Sequence, residues 1–176
     1  VLAFLQESIL KRKQFKLGDK VVYPGHGVGE ITEVIDRTIA GSNHQVYQMT
    51  LIDKNKKEFM AMVPVAQADS VGLRRVVDKK TVDKVFEILR DRSFKIDTQT
   101  WNRRFREYTQ KLKTGSVFEI AEVIRDLSVL SIDKDLSFGE KKMLESAQNL
   151  LASEIAIARS RSEEKVMTEL REMFAA

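Results

Sequence analysis

The spacing of apolar residues changes once along the chain, between residues 70 and 80, and this change constrains the fold most strongly. Before it, short β-prone runs are separated by turn residues such as Pro24 and Gly25. After it, apolar residues recur every three or four positions, as at Val82, Val85 and Phe86. Alternation indicates strands, and a 3.6-residue period indicates amphipathic helices. The sequence therefore predicts an α+β protein in which the strands precede the helices.

The first half is predicted to be a small Tudor-like or SH3-like β-barrel over residues 15–73. Its four or five strands would include the runs 21–23, 28–36, 45–52 and 58–63, joined by turns at 24–27, 41–43 and 53–55. In the second run, strict alternation places Ile31, Glu33 and Ile35 on one face. A small, strongly bent barrel of this kind usually binds a partner. The preceding residues 1–14 are interpreted as an N-terminal extension, for which the apolar spacing favours a short helix.

The second half, residues 74–176, is predicted to be an all-α helical bundle. One helix carries Trp101, Phe105, Tyr108 and Leu112 at helical spacing and ends at Gly115. Thr100 is the expected N-cap of this helix, and two further helices are expected to begin with capping boxes, Ser116 with Glu119 and Ser137 with Glu140. Residues 162–174 either continue the last of these helices or form a fifth one.

Charge is distributed unevenly, although the net charge is only +4. Residues 76–114 contain 11 basic and 6 acidic side chains, whereas residues 115–176 contain 8 basic and 12 acidic ones. The basic excess in the middle of the chain favours an anionic partner there. There is no cysteine, which excludes disulfides, and no apolar run approaches the roughly 20 residues that span a bilayer. We therefore expect a cytoplasmic protein that does not enter a membrane.

No catalytic or metal-binding motif is present in the sequence. The two histidines, His26 and His44, have no ligand partner at a useful spacing. The glycines of residues 25–29 lack the Lys-Ser/Thr pair of a phosphate loop and lead into a strand, so they are more typical of a hairpin. No nucleophile, base and orienting group come together. We predict that the chain is not an enzyme and needs neither a metal nor a cofactor.

The region around Trp101, the only tryptophan, is the strongest candidate for function. Between residues 101 and 113 the local charge is +4, from one acid, Glu107, and five cations: Arg103, Arg104, Arg106, Lys111 and Lys113. The spacing of the apolar residues alone favours a buried tryptophan. Its place in the first helical turn, among arginines, is instead typical of an apolar wedge that distorts the DNA minor groove while cations hold the phosphates.

Six segments carry a family resemblance when they are taken together and in order. They are residues 15–29 (FKLGDKVVYPGHGVG), 71–74 (VGLR), 101–106 (WNRRFR), 115–116 (GS), 121–127 (AEVIRDL) and 136–144 (LSFGEKKML). This set resembles the CarD/CdnL family of bacterial transcription regulators over residues 15 to about 160. Residues 1–14 lie outside the resemblance.

The resemblance implies that the Tudor-like domain docks on the β subunit of bacterial RNA polymerase, largely through strand pairing. The residues that correspond to the docking face are Arg37, Met49 in the third strand, and Met62 and Pro64 in the fourth. Some family members carry a basic residue at the position of Met62, so apolar packing is expected there in place of an ion pair.

The resemblance also implies that the bundle places Trp101 against the minor groove of promoter DNA at the upstream edge of the bubble. The phosphate contacts would fall on Arg103, Arg104 and Arg106. The result would be a stabilised open complex, produced by a monomer that joins the nucleoid through the polymerase.

Two other interpretations remain open from the sequence. In the first, the chain is a protein interaction module in which Trp101 is buried and makes no contact with DNA. In the second, it is the polymerase-binding fragment of a repair translocase, which would share the barrel. The absence of an ATPase motif from this sequence counts against the second interpretation.

Overall fold

The N-terminal half is a five-stranded antiparallel sheet in a computed structural model that describes residues 15–52, 57–93 and 100–175. The strands are β1 (Lys20–Tyr23), β2 (Gly27–Ile39), β3 (Ser42–Ile52), β4 (Glu58–Pro64) and β5 (Arg74–Arg75). Their order across the sheet is β4-β3-β2-β1-β5, so β4 and β5 are the edges. The expectations for residues 1–14 and for the turn at 53–55 fall outside the described residues.

The sheet buries one apolar face, to which β3 contributes most. Tyr47, Met49 and Leu51 alternate along β3 and are almost fully buried, together with Ile31 of β2. A β-bulge between Ile31 and Glu33 shifts the register of β2 against β3. The expected strict alternation of β2 is therefore wrong beyond Ile31: Glu33 is exposed to solvent, because the extra residue rotates the strand.

The C-terminal half is a bundle of five helices, which confirms the predicted α+β class. The helices are α1 (Lys79–Arg90), α2 (Trp101–Thr114), α3 (Val117–Asp133), α4 (Phe138–Arg159) and α5 (Glu163–Glu172). They share one apolar core, to which α3 and α4 contribute the most residues. No described helix combines the length and the apolar character that a bilayer crossing requires.

The predicted helix ends are only partly correct. Ser137 and Glu140 form the predicted capping box, and Gly115 ends α2 in the left-handed conformation. The capping box predicted at Ser116 is wrong. The side chain of Ser116 makes no cap hydrogen bond, and the carboxylate of Glu119 accepts a hydrogen bond from the hydroxyl of Thr114 instead. Thr100 occupies the N-cap position of α2 without a side-chain bond.

Residues 162–174 do not continue α4. Ser160 adopts a left-handed backbone conformation (φ 52°) that ends α4. The side chain of Ser162 then accepts a hydrogen bond from the backbone N–H of Lys165, as an N-cap residue does. The last apolar residues of the chain therefore belong to a separate helix, α5.

A partly buried ion pair joins the sheet to the bundle. The guanidinium of Arg74 donates to both carboxylate oxygens of Glu154, at 2.6 and 2.9 Å, and also to the carbonyl of Gly115 at 2.5 Å. Glu154 also accepts the backbone N–H of Val77, and its side chain is 2% exposed. Nearby, Pro24 of the first turn packs against Gly115. These contacts fix the sheet on the α2–α3 corner and on α4.

Candidate nucleic-acid interface

Trp101 is half-buried at the first residue of α2. Its ring packs on the start of α4, where a Cβ atom placed on Gly139 would lie 3.2 Å from the indole Cζ2. The ring also meets Phe105 edge-on, with 5.4 Å between ring centroids. Because glycine leaves room for the indole, the ring is held against the bundle without entering its core. Part of its surface remains open to solvent.

Arg104 does not lie on the surface, which corrects the expectation that it contacts DNA phosphates. Its Nη2 donates to Oε1 of Glu140 at 2.9 Å, and the two side chains are 8% and 2% exposed. The guanidinium also lies 5.8 Å from the centre of the Trp101 ring. A buried, paired arginine cannot reach a DNA backbone without breaking this pair. Its visible role is to fasten the start of α2 to the start of α4.

Glu140 is held as a carboxylate by this arrangement. Its desolvation would raise the pKa of the carboxyl, but the backbone N–H of Ser137 donates to it at 2.8 Å, and Lys134 and Arg104 add positive charge. The balance lowers the pKa of Glu140 below its ordinary value. The ion pair with Arg104 is therefore fully formed at neutral pH. One nitrogen, Nε of Arg104, is buried without a hydrogen-bond partner among the described residues.

Arg103 and Arg106 are exposed to solvent in the first two turns of α2. Neither forms an ion pair with a carboxylate in the part of the chain that the structure describes. Lys113 at the end of α2 is exposed in the same way. Lys111 is different, because its ammonium group lies 2.8 Å from Glu122 and 3.5 Å from Glu107. Of the five cations between residues 101 and 113, Arg104 and Lys111 are paired with carboxylates. Among the described residues, the other three are exposed and available to a ligand.

The apolar stripe of α2 divides between two faces. Tyr108 is 4% exposed and lies in the bundle core, where its hydroxyl donates to Asp126 at 3.4 Å. Burial and the neighbouring Asp126 raise the pKa of Tyr108 well above its ordinary value. Phe105 is 44% exposed, so the prediction that it belongs to the core is wrong. Leu112 is half-buried and packs against the edge of the core.

Of the residues predicted to face the polymerase, three lie at the surface of the sheet. Arg37 is exposed in β2, opposite His44 of β3. Met62 is 48% exposed and Pro64 is half-buried, both in the edge strand β4. Met49 is fully buried in the sheet core, which corrects its expected place on the docking face.

The sequence reasoning missed several surface residues that the structure brings to these two faces. Met60, 59% exposed, lies two residues before Met62 on the same edge strand. Phe138 and Lys142 lie one turn apart at the start of α4, beside Trp101. One sequence signal could have indicated Phe138: it directly follows the capping residue Ser137, and an aromatic residue at the first position of a helix is not expected to belong to the core. Among the described residues, no cluster of three acidic or histidine side chains could hold a metal ion.

Comparison with known proteins is consistent with this architecture. A family model described as "CarD-like/TRCF RID domain" matches residues 15–77. A second, described as "CarD, C-terminal domain", matches residues 84–171. The chain belongs to the CarD family.

This CarD-family chain also resembles a protein of Bacillus subtilis (strain 168) named "Putative transcription factor YdeB". The two sequences are 31% identical over 156 residues, which cover 86% of this chain and 97% of that protein. The family consists of transcription factors and is not a family of enzymes, and the RID domain implies an interaction with RNA polymerase.

Proposed function

We propose that this chain docks on the β subunit of bacterial RNA polymerase and stabilises the promoter open complex by placing Trp101 against the minor groove. The observation that carries the proposal is the position of the indole. It lies half-buried at the first residue of α2, held by Gly139 and by the Arg104–Glu140 pair. Arg103 and Arg106, in the first two turns of the same helix, are exposed and have no ion-pair partner among the described residues. A partly exposed apolar ring at a helix end that also carries exposed cations suits the upstream edge of the bubble, where a base step is unstacked.

The docking surface in this proposal is the free edge of the sheet. Strand β4 pairs only with β3 among the described strands, so its other side is open to a strand of the polymerase. Met60 and Met62 offer apolar contact area there, and Pro64, which has no N–H, is tolerated at an edge. Arg37 adds a charge on β2, which is separated from β4 by β3. Met49 contributes indirectly, as part of the core that supports the strand.

The proposed DNA contact is weak by itself. Three available cations, Arg103, Arg106 and Lys113, predict a slope of roughly −3 in a plot of log affinity against log salt concentration. Docking on polymerase raises the local concentration of the wedge at one promoter position, so weak affinity is sufficient. The equilibrium shifts toward the open complex because only opened DNA offers the unstacked step that Trp101 covers.

The test compares open-complex lifetimes in the presence of wild type, Trp101→Ala and Arg37→Glu. We expect Trp101→Ala to bind polymerase normally and to lose stabilisation by roughly tenfold in lifetime, which corresponds to about 1.4 kcal/mol. Arg37→Glu should lose polymerase binding and keep the DNA affinity of the free chain. Phe118→Ala, which removes another exposed ring from α3, is the matched control. Full activity of Trp101→Ala would end the wedge mechanism.

The partial burial of Trp101 is also consistent with a second function, that of a protein interaction module without DNA contact. Tryptophan fluorescence separates the two, because Trp101 is the only emitter of its kind in the chain. In the wedge mechanism, forked promoter DNA protects the indole from acrylamide quenching. Quenching that DNA leaves unchanged would favour the interaction module.

A further inference from the structure

An apolar groove lies between α2 and α4 and ends beside Trp101. We call it the α2–α4 groove; its volume is about 410 Å³. Phe105, Thr109 and Lys113 line it from α2, each four residues after the last, and Phe138, Lys142 and Ser146 line it from α4 with the same spacing. This spacing places each set along one helix face. Met143 and Leu112 form part of its apolar wall.

The groove continues the surface that carries Trp101. Phe105 lines the groove and also touches the indole edge-on, and Gly139 lines the groove and supports the indole. A DNA strand that passes over Trp101 therefore reaches the groove without crossing another element. Gly25, in the first turn of the sheet, also lines the groove.

The chemistry of the lining fits a single-stranded nucleotide. Two exposed lysines, Lys113 and Lys142, lie at the groove, and none of the described carboxylates lines it. Phe138 is 75% exposed, and the ammonium of Lys142 lies 4.9 Å from the centre of its ring. Exposed aromatic rings beside cations are the elements with which proteins bind unpaired bases and their phosphates. The hydroxyl of Thr109 is buried in this wall and has no partner among the described residues.

We propose that the α2–α4 groove receives an unpaired nucleotide of the opened DNA strand next to Trp101. The base packs against Phe105 and Phe138, the adjacent phosphates meet Lys113 and Lys142, and the hydroxyl of Thr109 is available to a polar edge of the base. This inference rests on the proposed function, because it needs opened DNA at Trp101. It adds a second contact, which duplex DNA cannot make since its bases are stacked and paired.

The test uses fluorescence anisotropy of the full chain with three labelled DNAs of equal phosphate number. They are a paired duplex, a fork with unpaired bases, and the same fork with abasic sites in the unpaired strand. Wild type should bind the base-bearing fork about tenfold more tightly than the abasic fork, in line with the stacking of one base. The duplex should bind more weakly than either fork, because it lacks the junction that Trp101 covers. Equal affinity for the two forks would overturn the proposal, because the phosphates and the Trp101 wedge would then account for binding without a base in the groove.

Variants assign the preference to the groove. Phe138→Ala should lose the preference for the base-bearing fork and bind the duplex like wild type; its ring is largely exposed, so folding is not at stake. Lys142→Gln should weaken binding to both forks, while Lys165→Gln on α5 serves as the matched control. A preference retained in Phe138→Ala would overturn the proposal and leave the groove to another occupant, such as an acidic peptide.

Trp101→Ala distinguishes the failure of this inference from the failure of the proposed function. If it reduces binding to both forks and leaves duplex binding unchanged, while Phe138→Ala behaves as wild type, the wedge stands and the groove proposal falls. If it has no effect on any DNA or on the open complex, the proposed function falls as well.

Discussion

Replacing Glu140 with Gln should destabilise the bundle far more than any change to the exposed arginines. Glutamine keeps the shape of the side chain and can still accept a hydrogen bond at the start of α4. It removes, however, the negative charge that faces Arg104 in a site where both side chains are less than a tenth exposed. The guanidinium is then left buried without a counter-charge, which is a costly arrangement.

The magnitude follows from the depth of this pair. Removing one partner of a buried ion pair costs about 3–5 kcal/mol. Because the amide retains part of the hydrogen bonding, we expect a loss of about 2–3 kcal/mol in the free energy of unfolding, the range of a bond to a charged group. For a chain of this size the melting temperature should fall by roughly 5–10 °C. Urea unfolding followed by circular dichroism measures the loss directly.

The effect should also depend on pH, with a definite sign. The pKa of Glu140 is lowered by the fold, so its stabilising contribution is present above the ordinary value of 4.5 and is lost as the pH falls through the lowered value. The difference between wild type and Glu140→Gln should therefore be largest near pH 7 and shrink below pH 4.5. Other carboxyls whose pKa is lowered, such as those of Asp19 and Asp78, are common to both proteins and cancel.

Two further variants make the reasoning refutable. Arg104→Met combined with Glu140→Gln should recover most of the lost stability, because no buried charge then lacks a partner. Arg103→Gln should change stability by no more than about 0.5 kcal/mol, as is usual at an exposed position. If Glu140→Gln unfolded like wild type at pH 7, or if its deficit were the same at all pH values, the ion pair would not be the fastening that the structure indicates.

Three other substitutions test the remaining structural claims. Gly115→Ala should cost more than about 1 kcal/mol in urea unfolding, because φ is 71° there and the new Cβ would lie 2.9 Å from Pro24. Gly139→Ala should leave the unfolding transition nearly unchanged, yet shift the emission maximum of Trp101 and weaken DNA binding, because its Cβ would press on the indole. Glu154→Gln should retain DNA affinity in the free chain while it reduces open-complex stabilisation, measured by anisotropy and complex lifetime respectively.

The order and class of the elements could be predicted because they depend on local signals. Alternation in β3 and a 3.6-residue period in α1 are properties of neighbouring residues. The same holds for the capping box of Ser137 and Glu140, whose two side chains bind the backbone of their own turn. Glycine at position 115 could likewise be expected to end α2, because only a left-handed residue completes that turn easily.

The division of α2 into two faces could not be predicted in this way. The stripe through Trp101, Phe105 and Tyr108 fits a helical period, but Phe105 faces the groove, while Arg104 takes an inward position. An arginine is assigned to the surface by its type, and only a partner can bury it. That partner, Glu140, lies 36 residues away in another helix, so no local spacing reports it.

Met49 is the reverse case, in which the pattern was informative and the resemblance was misleading. Tyr47, Met49 and Leu51 alternate in β3, and alternation alone places the three side chains on the same face. Tyr47 and Leu51 are large residues typical of a core, and because Met49 shares their face, its burial is predicted as well. The resemblance assigned Met49 to the docking surface by position, without regard to the face of the strand.

The joint between the two halves links the docking surface to the wedge. Each contact in the proposed mechanism is weak alone, so the wedge depends on the high local concentration that docking creates. That concentration falls if the bundle can rotate freely on the sheet, because the indole then samples a larger volume. The bidentate bond between Arg74 and the buried Glu154 restricts this rotation. A weakened joint should therefore leave the affinity for polymerase and the DNA affinity of the free chain unchanged. It should reduce the stabilisation of the open complex, because that complex needs both contacts at once.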